Sequence, residues 1–205
     1  MAQTNAWDDA ATSSSPSLTI NGHANGSAVS GRVLFAVIST HRGTLSAATF
    51  PGWTRITSEG PLSGGLHSGA TYYRVASGTA ADDIAPASTI TPSVTSWSIN
   101  VIERDDIDSA SPLRAGVFNS GNSTSTRSVD TGSVTPVAAD DIVFSALTVM
   151  NEGQWDSFGL TTTTVTNGFV KGNYSGQGLN IRAATLMSSK AISDTSAQST
   201  LYTGQ

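Results

Sequence analysis

The sequence predicts an all-β chain, an antiparallel two-sheet β-sandwich of jelly-roll-like form. Three observations lead there. Apolar residues come in bursts of strand length: LTI (18–20), VLFAVI (33–38), TYYRVA (71–76), WSINVI (97–102), IVFSALTV (142–149) and LNIRAATLM (179–187). Between them stand Gly, Pro, Asn, Asp and Ser clusters such as NGHANGSAVSG, EGPLSGG, FNSGNSTS and TNGFVKGN, which supply the positive-φ positions and side-chain-to-backbone turns that end strands. No segment holds a helical period. The 205 residues suffice for one sizeable core, so the expected organisation is an extended N-terminal arm over 1–17 and a single β-sandwich domain over 18–205.

Taken in order, MAQTNAWDDAATSSSPS is polar apart from Trp7. It is too poor in apolar residues to fold alone, so it is expected to be disordered or to lie on a neighbour, with Trp7, Asp8 and Asp9 as the partner contacts. VLFAVI is apolar on both faces, which predicts a central strand whose second face is covered by another element or subunit, with Phe35 in the core. In FPGWT, Pro51 and Gly52 make a turn and Trp53 opens the next strand as a plug over the end of the core. TSWSINVIER alternates Trp97, Ile99 and Val101 with Ser96, Ser98 and Asn100, the period of a half-buried strand with Trp97 inside. IVFSALTV repeats the two-faced pattern of VLFAVI and places Phe144 in the core.

Residues 33–40 align without a gap on 142–149, each followed by a tryptophan, Trp53 or Trp155, and HSGATYYRVA lines up with YSGQGLNIRAA. This echo allows two related halves, as two facing Greek keys give. Chance similarity between strands of one composition remains the alternative.

Composition narrows the chemistry. Charged residues make up 12% of the chain, about half the usual share, so Ser, Thr, Gly and Ala dominate what is not core. Two lysines and a formal net charge of −5 leave no basic stripe to displace counterions from a phosphate backbone, so nucleic acid is not an expected partner. No apolar run reaches the roughly 18 residues of a membrane helix, and 1–17 lacks the basic and apolar regions of an export signal. The absence of cysteine rules out disulfides and thiolate metal sites.

His23, His41 and His67 show no metal-pair spacing and read as solvated loop residues. No G-x-S-x-G elbow is present, and GQG (176–178) lacks the third glycine of a dinucleotide loop, so no cofactor, metal or catalytic residue is assigned. The acidic pairs Asp8–Asp9, Asp82–Asp83, Asp105–Asp106 and Asp140–Asp141, with Asp108, could hold calcium only if carbonyls completed the shell, and sit where aspartate ordinarily forms turns. Glu103 and Asp105 would need to face each other across a cleft to act as a glycosidase pair. The sequons at Asn25, Asn122 and Asn173 are expected by composition alone.

GRVLFAVIST, PGWT, YYRVASG and VIERDDIDSASPL, in that order, resemble a β-sandwich module of tailed-bacteriophage virion proteins and related prophage proteins, over about residues 30–150. EGPLSGGLHSG and the lack of a fibre repeat depart from that pattern. The resemblance implies a non-enzymatic virion structural protein, exposed on the particle and assembled in the host cytoplasm. Its expected role is capsid decoration or cementing, in which a small homo-oligomer, a trimer being favoured, bridges copies of the major capsid protein. One alternative is a receptor- or carbohydrate-binding module of a tail fibre, with Tyr72, Tyr73, Tyr174 or Trp155 stacking on sugars. Another is a jelly-roll glycan-acting enzyme built on Glu103 and Asp105.

Overall fold

The computed structural model describes residues 3–62, 67–113, 128–130, 133–150, 163–175 and 183–203. Among them the chain forms β1 (Gln3–Ala11), β2 (Val33–His41), β3 (Thr54–Leu62), β4 (His67–Val75), β5 (Ser96–Arg104), β6 (Ser128–Asp130), β7 (Ile142–Met150), β8 (Thr164–Val165), β9 (Val170–Ser175), β10 (Ala183–Ala191) and β11 (Leu201–Thr203). Sheet I runs β1-β5-β2-β4-β3, sheet II β7-β10-β9 and sheet III β6-β11-β8, and every pairing between these strands is antiparallel. The architecture is all-β and broadly sandwich-like, but its described strands divide among three sheets where two were expected.

Sheet II lies between the others. Its β7 and β10 send Phe144, Ala146 and Met187 into a cluster with Val33, Phe35, Val37 and Ile102 of sheet I. On the opposite side, Leu147, Ala184 and Leu186 pack with Tyr202 of β11. The buried Tyr202 hydroxyl donates to Ser145 Oγ at 2.8 Å and lies 2.8 Å from Ser188 Oγ.

β2 is the central strand of sheet I, and all nine of its residues are buried. Its odd positions meet sheet II. Leu34, Ala36 and Ile38 face a larger cluster closed by connecting segments of the same chain, including Leu18, Ile20, Leu45, Phe50, Ile84, Ile90 and Val94. The cover expected over the second face is therefore the chain's own loops. β7, which carries the same two-faced pattern, differs: among the described residues it pairs with β10 alone, and Phe144 is half-buried.

β5 also departs from its pattern. All nine residues are buried, because the Ser98–Asn100 face meets sheet II and not solvent. Ser98 Oγ lies 2.9 Å from Thr185 Oγ1, and Asn100 Nδ2 donates to the Asn173 carbonyl. Hydroxyls and amides that satisfy one another across the layers can be buried without the cost of losing water.

Within the expected N-terminal arm over 1–17, Gln3–Ala11 form β1, an edge strand of sheet I in register with β5 from Ala11↔Trp97 to Gln3↔Arg104, with one irregularity between Gln3 and Asn5. Trp7 supplies what the sparse apolar content did not: its ring is fully buried, and its Nε1–H donates to the Gly26 carbonyl at 2.8 Å. The neighbour that orders this segment is its own sheet.

The echo between halves has one structural counterpart. Phe35 and Phe144, equivalent in the alignment, stack face to face with centroids 4.1 Å apart. Trp155 lies outside the described residues, and so does the middle of YSGQGLNIRAA, whose ends fall on two different strands, β9 and β10.

Removing the β1 anchor tests its place in the core. Trp7→Ala is expected to lower stability by about 3–5 kcal/mol, the range for a fully buried large aromatic. Equilibrium denaturant unfolding reads this, whereas an anchor reserved for a partner would leave the midpoint within error.

Candidate functional site

Trp7, Asp8 and Asp9 are brought together on β1 but dispersed in role. Trp7 points into the core, while Asp8 Oδ1 accepts from Asn173 Nδ2 of sheet II at 3.0 Å. Asp9 is exposed, and its Oδ1 caps the Ala10 N–H at 2.7 Å. The Ala6 N–H is capped by Asn5 Oδ1, and the Ala6 carbonyl accepts from Asn25 Nδ2. Side chains thus occupy backbone groups along the strand's outer edge, which blunts it against pairing with another chain. The opposite edge, β3, is interrupted by register shifts at Arg55/Thr57 and Glu59/Leu62 and carries Pro61, which has no N–H to offer.

The FPGWT turn closes with a Trp53 N–H to Phe50 carbonyl bond of 3.0 Å, and Gly52 has φ +77°. This is the Pro-Gly arrangement of a type II turn. A Cβ on Gly52 would also collide with the Arg74 guanidinium that lies over it. Trp53 and Trp97 are buried in the large cluster, and Trp97 Nε1 donates to Ser13 Oγ at 2.7 Å. The Trp53 indole N–H has no hydrogen-bond partner among the described residues, and its ring acts by packing.

The acidic residues serve as clamps and turns. Asp82 is fully buried and accepts from Arg74 Nε at 2.7 Å, from the Ser77 and Gly78 N–H groups, from Ser77 Oγ and from Asn21 Nδ2. Burial pushes its carboxyl up, and the hydrogen bonds from Ser77, Gly78 and Asn21 together outweigh that push and hold it below its ordinary value. Asp83 Oδ1 accepts the N–H groups of Ile20 and Asn21, and Asp141 Oδ2 those of Val137 and Ala138. Asp108 caps Ala110, and Asp106 pairs with Arg104.

Glu103 is buried, accepting the Val29 N–H at 2.7 Å and Arg32 Nη1 at 3.0 Å, whereas Asp105 is exposed. The two do not form the facing pair that glycosidic chemistry needs. Tyr72 is buried, while Tyr73 and Tyr174 are half-buried. No group of three or more His, Cys, Asp or Glu suited to a metal occurs among the described residues. Asn122 and GQG lie outside them, and Asn25 and Asn173 spend their amides on Ala6 and Asp8.

The histidines correct the loop reading. His41 and His67 are buried cross-strand partners at the ends of β2 and β4, because the strands run beyond their apolar bursts through hydroxyl residues. His67 Nε2 is 3.1 Å from Ser39 Oγ, and His41 Nδ1 is 2.6 Å from Thr95 Oγ1. Burial first, and the neighbouring His41 second, lower the His67 pKa to about 4. A Ser-His contact is present, but Ser39 is fully buried and an imidazole this weakly basic is a poor general base at neutral pH. The apolar bursts VLFAVI and TYYRVA stop short of both histidines, so local patterning carried no signal that the strands continue through them.

Comparisons with family models, curated proteins and solved structures find no match.

The His67 shift sets a pH dependence. Between about pH 6.5 and 4 the unfolded chain takes up a proton that the folded chain refuses, so stability is full above this window and falls as the pH drops through it. The loss approaches about 3 kcal/mol at the acid end, taking 1.36 kcal/mol per unit. Urea unfolding in metal-free buffer at several pH values is expected to show this decline and its weakening in His67→Gln; an equal slope in both proteins would contradict it.

Proposed function

We propose that this protein is a non-enzymatic structural component of a virion, a decoration or cement protein that binds the capsid surface and bridges capsomers as a small homo-oligomer. The observation that carries this reading is how the ionisable groups are spent. Asp82 with Arg74, Glu103 with Arg32, and Arg104 with Asp106 pair within the chain, and a sequence only 12% charged and rich in Ser, Thr, Gly and Ala makes for a hydroxyl-rich, sparsely charged surface. Such a surface suits many modest contacts repeated on a symmetric lattice, where avidity replaces a single strong site.

The blunted edges of sheet I support association through side chains over association by strand addition. The jelly-roll-like connectivity expected from sequence belongs to the same reading, supported by the meeting of β2 and β7 at the Phe35–Phe144 stack. Of the aromatics that the sugar-binding alternative names, Tyr72 is buried and Tyr73 and Tyr174 are half-buried, while Trp155 lies outside the described residues; the enzymatic alternative is weakened by the clamped Glu103.

Quantitative mass spectrometry of purified particles, with labelling to locate the protein, tests the reading. Decoration predicts hundreds of copies on the head, in a fixed ratio to the capsid subunit. A few copies at the tail, or none in the particle, would overturn it.

A further inference from the structure

We propose that His41 and His67, the buried cross-strand pair at the ends of β2 and β4, form a two-imidazole chelate for a divalent transition-metal ion of the zinc, nickel or copper class. The register sets the two residues directly opposite each other. Val33, Phe35 and Val37 of β2 face sheet II, so by alternation His41 lies on that face, and His67 opposite it shares the same side. Side chains so placed start about 4.5–5.5 Å apart at Cβ, a span that two imidazoles bridge through one ion.

The hydroxyls prepare the rings. With Thr95 Oγ1, 2.6 Å from His41 Nδ1, acting as the acceptor, the proton sits on Nδ1 and the lone pair on Nε2. Ser39 Oγ can accept from His67 Nε2 in the same way, leaving the lone pair on Nδ1. Metal-bound histidines are commonly oriented by an acceptor on the second nitrogen. Ligation takes the neutral imidazole. Imidazole nitrogen favours zinc, copper and nickel over calcium or magnesium, and the remaining coordination positions fall to hydroxyl oxygen or water.

This inference stands apart from the virion reading, because it is tested on the purified chain. Only three histidines and no cysteine occur, so imidazole-dependent binding has few origins. Isothermal titration with Zn²⁺ and with Ni²⁺ is expected to show one saturable site. His67→Gln and His41→Gln should each weaken it by about tenfold or more, while His23→Gln leaves it unchanged. X-ray absorption at the zinc edge of the loaded native chain should report two imidazole ligands, and this measurement does not depend on the variants folding. Absence of saturable binding, binding that survives His67→Gln, loss in His23→Gln, or a single imidazole at the metal would each overturn the proposal.

Discussion

Burial of β2 on both faces is the constraint from which the rest of the structure follows. A strand with Val33, Phe35 and Val37 on one side and Leu34, Ala36 and Ile38 on the other removes apolar surface from water only if both sides are covered. Sheet II covers one side and the connecting segments cover the other. That arrangement requires the loops to be ordered, and the polar clamps order them. Asp83 fixes the chain entering Asn21, Asp82 gathers Arg74 and the Ser77–Gly78 turn, and Glu103 ties β5 to Val29 and Arg32. Each clamp carries a loop onto the outer face of sheet I, so charge is spent on placing apolar residues.

The contact between sheets I and II is more polar than a typical sandwich interior. Phe35 on Phe144 gives it an aromatic centre, but Ser98–Thr185, Asn100–Asn173 and Asp8–Asn173 surround that centre with hydrogen bonds. Close approach is enforced at Gly69, where a Cβ would lie 2.6 Å from Thr148 Oγ1. Directional bonds with one correct pairing fix the register of the two sheets more strictly than apolar packing alone.

Much of this was legible in the chain. Two-residue alternation in WSINVI and the two-faced run VLFAVI located β5 and the centre of sheet I, and Pro51-Gly52 marked the turn before β3. What alternation could not reveal was the destination of polar faces. Ser98 and Asn100 look solvent-facing until their partners on β10 and β9, more than seventy residues away, are known. The same blindness hid β1: a segment with one tryptophan and two aspartates reads as a tail because its apolar neighbours lie on β5 and in the Gly26 loop. His41 and His67 were misread because their bursts end before their strands do. The pairing of β7 at a sheet edge was equally out of reach, since VLFAVI and IVFSALTV carry the same local signal.

Residue-resolved amide hydrogen exchange tests the central claim most directly. If sheet I is organised around a doubly covered β2, its amides and those of β5 exchange only through global unfolding, while β9, at the edge of sheet II, exchanges faster through local opening. Exchange of β2 at the rate of β9, with sheet II the most protected element, would contradict the account.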